Sequence, residues 1–178
     1  MEITLIPCGE PYLDPFRALY EDAFPEGERK AFDYLLTKQS ERVYDLWTVV
    51  DKTRAFVGLV TAVRYQDYVL LDYLAICPTV RGQGIGHRVL EAVRQQYRGA
   101  HLFLEIEVPC AAAENAAQRE RRLAFYLDAG LVRTGVRAHI YGDEMELLAY
   151  PEDVAAISFS LYRDMLTATF PASMIPKP

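Results

Sequence analysis

Between Asp14 and Phe24 the apolar positions Phe16, Leu19, Tyr20 and Ala23 recur at helical spacing until Pro25 and Gly27 interrupt them, so a first helix is predicted there. A second short helix is predicted over Glu28 to Thr37, carrying Phe32, Leu35 and Leu36. Three strand-like runs follow, Val43 to Val50, Ala55 to Val63 and Val69 to Ile76, joined by tight turns, which suits an antiparallel meander. At Cys77-Pro78 proline ends the strand, and a glycine-rich stretch opens the next segment. From Gly84 to Tyr97 the set Ile85, Val89, Ala92, Val93 and Tyr97 again follows helical spacing, and Gly99 marks the stop.

His101 to Val108 then alternates: Leu102, Leu104, Ile106 and Val108 face one way, Phe103, Glu105 and Glu107 the other. Strand, glycine loop, helix and strand in that order make a βαβ unit. A helix over Glu114 to Ala129, halted by Gly130, leads to a closing pair of strands, Leu131 to Val136 and Met145 to Tyr150. The last helix is expected from Glu152 to Leu166, directly after Pro151. Its broad apolar coverage suits packing on the body or on a second subunit, which would make a homodimer. The tail from Pro171 to Pro178 is expected to be loose. No repeat, low-complexity tract or long linker divides the chain, so residues 1–150 are read as one domain, with 151–178 packed on it.

Composition narrows the function. The chain has 178 residues, 51% of them hydrophobic, enough for a single packed core. Its net charge of −6 and lack of a basic stripe argue against a nucleic-acid partner, because neutralising phosphates needs clustered Lys and Arg. No apolar run is long enough for a membrane span, and the N-terminus, Met1 to Pro7, has no basic region ahead of an apolar one, so the protein is expected in the cytoplasm. Cys8, Cys77 and Cys110 are too far apart for paired metal knuckles, and His87, His101 and His139 show no ligand spacing, so no metal is expected.

The stretch with chemistry is Arg81-Gly82-Gln83-Gly84-Ile85-Gly86, set between a strand and an amphipathic helix. Missing side chains let main-chain N–H groups approach an anion, and the helix that follows aims its positive dipole end at the same spot. Gly86 is followed by His87-Arg88, not Lys-Ser or Lys-Thr, so this is no Walker A loop, and the third glycine of the dinucleotide pattern is missing because His87 stands there. The plain alternative is a tight turn with helix-packing glycines.

Read as R-x-x-G-x-G through Arg81, Gly84 and Gly86, the run resembles the GNAT superfamily of N-acetyltransferases. The strand Leu71 to Pro78 resembles that family's fourth strand, and Arg122 to Leu131, with Phe125-Tyr126 and Gly130-Leu131, its later helix and FY…GF ending. The order of elements over residues 1–150 agrees as well. The resemblance implies a mixed α/β (α+β) fold, with a mostly antiparallel central sheet flanked by helices, a βαβ acetyl-CoA unit and an extra C-terminal helix.

It also implies an acetyl-CoA site. Main-chain N–H groups from Gln83 through Gly84, Ile85 and Gly86 to His87, next to Arg81 and Gly82, would hold the pyrophosphate. The edge of Leu74, Ala75 and Ile76 would pair with pantetheine. Asp72 and Glu107 would lie near the thioester and Tyr126 near the cofactor sulfur, with no cofactor metal. The sequence departs from the pattern at Arg119, where many members carry Asn.

Amine acetylation needs modest groups. An alkylamine with a pKa of about 10.4 must lose a proton before attack, which suits a carboxylate, Glu107 or Asp72, acting directly or through water. The departing thiolate needs a proton back, which suits Tyr126, and a free N–H of a bulged fourth strand would steady the oxyanion. Each has a plainer reading: Tyr126 as packing, Glu105 and Glu107 as a solvated strand face, Asp72 as a loop cap, His87 as an exposed first-turn residue. Glu26-Gly27-Glu28-Arg29 would attract a cationic amine or be a charged surface loop. The expected function is transfer of acetyl to a primary amine on a small molecule or peptide. A non-catalytic acyl-CoA-binding module is the alternative.

Overall fold

The computed structural model describes residues 2–27, 29–140 and 142–170. Glu28 and the tail from Pro171 to Pro178 lie outside them, and with the tail the expectation that it is loose. The described residues form two compact units divided between Ala100 and His101.

The first unit carries four strands, β1 (Ile3–Pro7), β2 (Tyr44–Asp51), β3 (Phe56–Tyr65) and β4 (Tyr68–Ile76), in the order β1-β2-β3-β4, with every neighbouring pair antiparallel. The meander β2-β3-β4 is the one the sequence predicts. β1 is an addition that Ile3 and Leu5 announce only weakly, because five residues are too few for a clear alternation. Helix α1 (Leu13–Ala23) packs on β3 and β4, α2 (Phe32–Ser40) on β2, and α3 (Ile85–Gln96) on β1 and β4. Every residue of β3 from Val57 to Val63 is buried, so both of its faces are covered. Phe16, Tyr20 and Phe32 meet as a tilted aromatic cluster between α1 and α2, with ring centroids 5.9 and 6.0 Å apart.

α2 starts at Phe32, four residues later than expected. Lys30 is held from both sides of its main chain: its N–H donates to the Tyr73 hydroxyl at 3.2 Å, and its carbonyl accepts from the Tyr20 hydroxyl at 2.9 Å. Those bonds fix an extended connector where propensity alone would have allowed another helical turn.

The second unit holds β5 (His101–Glu107), α4 (Ala116–Asp128), β6 (Val132–Ile140), β7 (Asp143–Ala149) and α5 (Phe159–Thr169). Its strands run in the order β5-β7-β6, antiparallel throughout. The expected final helix is broken. A single 3₁₀ turn, Val154–Ala156, precedes it, and α5 begins after Ser158, whose Oγ accepts the Leu161 N–H at 3.2 Å as a helix cap. The break has a cause. The Asp153 carboxylate is drawn to the start of β5, where it meets His101 Nδ1 at 2.9 Å and the Leu102 N–H at 3.2 Å. Tyr162, Met165 and Leu166 supply the buried face of α5. The fold class is the mixed α/β one expected, with mostly antiparallel strands and helices packed on them.

One glycine is required by crowding. A Cβ on Gly58 would lie 2.6 Å from the Ala75 carbonyl oxygen and 3.1 Å from Ile76 Cδ1, so β3 and β4 reach their spacing only because position 58 is bare. Gly58→Ala is therefore expected to lower stability by about 1–3 kcal/mol. Urea denaturation measures this, and an unchanged midpoint would show that β4 can yield at Ala75.

Candidate active site

β4 ends at Ile76, and the chain turns through Pro78–Val80 before α3. Arg81 holds the turn from inside, its Nε donating to the Ile76 carbonyl at 2.9 Å. Gly82 and Gly84 sit at φ +75° and +71°, where side chains are disfavoured, and a Cβ on either would meet nothing within 4 Å. The demand at these two positions is thus one of backbone conformation, and the space above them is open. Gly84 is the residue before α3 and has no side chain to cap it, and the first turn of the helix contains no acidic residue. The positive end of α3 is thus met by neither a capping side chain nor an acid of its own first turn. Ile85, 2% exposed, roots the helix start in the core, while residues 81–84 are exposed. A diphosphate fits such a start, with no capping side chain, no acid in the first turn and open space above Gly82 and Gly84.

The adjoining stretch of β4 pairs with β3 along one edge, Leu74 with Val60, Ala75 with Leu59 and Ile76 with Gly58. Just before it the pairing slips. Thr61 opposes Tyr73 while Ala62 opposes Leu71, leaving Asp72 as the extra residue of a β-bulge. The expected bulge is present, but its Tyr73 N–H is not free: it donates to Thr61 Oγ1 at 3.1 Å. An oxyanion donor would have to come from another group.

Asp72 is no loop cap. Its side chain is 4% exposed and takes the Lys30 ammonium at 3.1 Å on Oδ1 and 2.9 Å on Oδ2, and the Tyr44 hydroxyl at 2.6 Å on Oδ2. The ammonium also lies 5.0 Å from the centre of the Tyr73 ring. Burial, reinforced by the Asp72 charge, pushes the Tyr44 and Tyr73 phenols well above their ordinary range, so both remain protonated donors. Burial likewise raises Tyr20. Lys30 went unmarked in the sequence because its partner is 42 residues away and a lone Lys in the first turn of an expected helix reads as surface. Beside it, α1, the connector and α2 border an open pocket of about 380 Å³ lined by Glu21, Glu26, Arg29 and Lys30 among others. The acidic run of the connector thus borders this pocket, though Glu28 lies outside the described residues.

In the second unit Glu107 ends β5. The plain reading of its strand face as solvated is overturned: Glu107 is 7% exposed, and Glu105 accepts a hydrogen bond from the buried Tyr162 hydroxyl. Glu107 Oε1 accepts from Asn115 Nδ2 and faces Arg119 Nη2, both at 3.0 Å, and Oε2 accepts from Arg122 Nη1 at 2.6 Å. Arg119 also reaches Asp143 at 2.7 Å. Its guanidinium is thus spent on two carboxylates at the position where the family pattern has Asn. Tyr126, also on α4, is half-buried, and desolvation raises its phenol above the usual 10.0, with Arg122 opposing in part. Of the two carboxylates expected near a thioester, then, each is gripped by basic groups of its own unit. Asn115, Arg119 and Arg122 could be read as partners only by knowing that α4 lies on β5. Among the described residues no three His, Cys, Asp or Glu side chains converge as a metal would need, and no helix is long and apolar enough to cross a membrane.

Comparison with curated protein sequences finds no match. Solved structures give the fold. A protein from Bacteroides thetaiotaomicron assigned as a GNAT-family acetyltransferase superposes with a TM-score of 0.74 at 19% identity, over 94% of this chain and 97% of that one. Spermidine N-acetyltransferase from Vibrio cholerae, solved with CoA and spermine, gives 0.65 at 14% identity over 86% and 98%. The ribosomal-protein-S18-alanine N-acetyltransferase from Escherichia coli gives 0.62 at 19% over 84% and 94%. The sequence model of the acetyltransferase (GNAT) family matches residues 13–125, which take in α1, the meander, the glycine loop, α3, β5 and α4 through Phe125. With that match spanning more than half of the chain, and with this fold and this loop, the protein belongs to the GNAT family of N-acetyltransferases.

Proposed function

We propose that the protein transfers the acetyl group of acetyl-CoA to a primary amine by direct attack, and that residues 1–150 form the catalytic domain, with 151–178 packed on it. The observation that carries this reading is the uncapped start of α3 behind two positive-φ glycines, a main-chain cup suited to the diphosphate of CoA. Main-chain N–H groups from Gln83 to His87 bind that diphosphate, Arg81 keeps the turn in shape, and pantetheine takes the edge of Leu74, Ala75 and Ile76 not used by β3. Bound there, acetyl-CoA supplies the acyl group as a thioester.

The protein's own residues then move protons. The acceptor arrives as an ammonium ion and gives up a proton, through water, to one of two carboxylates, Glu107 or Asp72. The freed nitrogen lone pair adds to the acyl carbon; as the tetrahedral adduct collapses and the carbon–sulfur bond breaks, Tyr126 donates its hydroxyl proton to the departing sulfur, and the second proton leaving the nitrogen returns through water to the phenolate. A raised phenol suits this role, because it stays protonated throughout the neutral range. Spermidine and an alanine of ribosomal protein S18 are the acceptors named for two of the structural relatives, which supports an amine as the class without choosing among amines. The reading places the enzyme in the cytoplasm, with neither nucleic acid nor membrane as partner.

Release of free thiol from acetyl-CoA in the presence of a panel of amines is the direct test; release that never exceeds background would overturn the proposal. Tyr126→Phe is expected to lower kcat by about 100-fold or more while leaving the KM for acetyl-CoA unchanged. Because the Tyr126 phenol lies above 10.0, the alkaline fall of the kcat profile is expected above that pH; a fall near neutrality would exclude Tyr126 as the proton donor. Gly84→Asp, which sets a carboxylate where the diphosphate sits, is expected to abolish acetyl-CoA binding in a calorimetric titration, and retained affinity would show that the loop is not the binding cup.

A further inference from the structure

Helix α4 buries none of its residues fully, unlike α1, α2, α3 and α5. An apolar face therefore does little to fix its rotation on β5. A set of charges is placed to do so. Arg119, Arg122 and Tyr126 are spaced i, i+3, i+7 on one face of the helix. Both arginines converge on the single carboxylate of Glu107, Arg119 at 3.0 Å and Arg122 at 2.6 Å, with side-chain exposures of 10% for Arg119 and 9% for Glu107. Asn115, just ahead of the helix, bonds both members of the first pair: its Nδ2 donates to Glu107 at 3.0 Å and its Oδ1 accepts from Arg119 Nε at 2.6 Å. Asp143, at the start of β7, accepts from the same Arg119 Nη2 at 2.7 Å. Tyr126 follows Arg122 by one turn.

We infer that Glu107 is a positioning residue: through Arg119 and Arg122 it locks the rotation of α4, and thereby aims the Tyr126 hydroxyl. The inference rests on the reading that Tyr126 donates the proton to sulfur, and it removes Glu107 from the role of proton acceptor. A carboxylate that balances two guanidinium charges gives up that charge on taking a substrate proton, and a weakened hold on Arg122 would loosen the turn that carries Tyr126. The two tasks conflict on one side chain.

The test compares Glu107→Gln, Arg122→Gln and the Arg119→Gln/Arg122→Gln pair. If Glu107 acts through the helix, Glu107→Gln lowers kcat about 10- to 100-fold, as a small misplacement of a reacting group does. The acid limb of the pH profile of kcat/KM then stays where it is in the wild type. The arginine pair reproduces the loss, and the triple variant is no slower than either. If Glu107→Gln removes the acid limb, or the arginine pair keeps wild-type kcat, Glu107 is a base or a bystander and the inference falls.

A second readout needs no turnover. With Cζ-labelled tyrosine and Tyr126→Phe to assign the resonance, Arg122→Gln is expected to move the Tyr126 signal and its titration upward, and Glu107→Gln to move the signal as well; an unmoved resonance in both contradicts the clamp. This arm separates the two claims: a wild-type protein that acetylates no amine defeats the proposed function, while the resonance still decides the clamp. If Glu107→Gln fails to fold, Arg122→Gln decides alone, since its side chain is 36% exposed.

Discussion

The chain must leave a buried strand at Ile76 and enter a helix at Ile85 without any side chain closing off the helix start. A helix normally begins on Ser, Thr, Asp or Asn because its first N–H groups need an acceptor. Here the preceding residue is Gly84, in a left-handed conformation, and no acid sits in the first turn. Those N–H groups are left to water or to the anion proposed to bind there. The remainder supports this start. Arg81 holds the turn by its bond to the Ile76 carbonyl, Ile85 fastens the helix to the core, and the bare position at Gly58 lets β3 lie close against Ala75 and Ile76.

Charge inside the protein follows a second rule: a carboxylate removed from water must be met by cations or donors. Asp72 is met by Lys30 and Tyr44, Glu107 by Arg119, Arg122 and Asn115, Glu146 by Arg133 and Asp153 by His101 and a main-chain N–H. Each arrangement ties a helix, connector or neighbouring strand to a strand, so the acidic residues that look like chemistry in a sequence also hold the fold. Asp72 does this at the bulge of β4, Glu107 at the end of β5.

The meander, the glycine loop, α3 and α4 were legible because their signals are local: alternation, helical spacing, and residues whose backbone demands are their own. The family resemblance rested on the same local runs, Arg81 to Gly86 and Phe125-Tyr126. What was not legible depends on distant partners. Lys30 looked like surface until Asp72 and Tyr73 were placed beside it. Glu107 looked half-solvated because alternation marks a face and not what covers it. The break before α5 was invisible because Asp153, a good residue for the start of a helix, is claimed by His101 and Leu102 on another strand. A bulge in the fourth strand was expected, yet its place at Asp72 and the Thr61 hydroxyl that takes the Tyr73 N–H could be found only from the register.

Amide hydrogen exchange with and without CoA tests the central claim most directly, because it reads the main-chain N–H groups themselves. The account requires added CoA to slow exchange over Gln83 to His87, together with Leu74 to Ile76, and Gly84→Asp to cancel that slowing. Slowing confined to other segments, or none at all with CoA in large excess, would contradict it and leave the start of α3 as an ordinary exposed helix end.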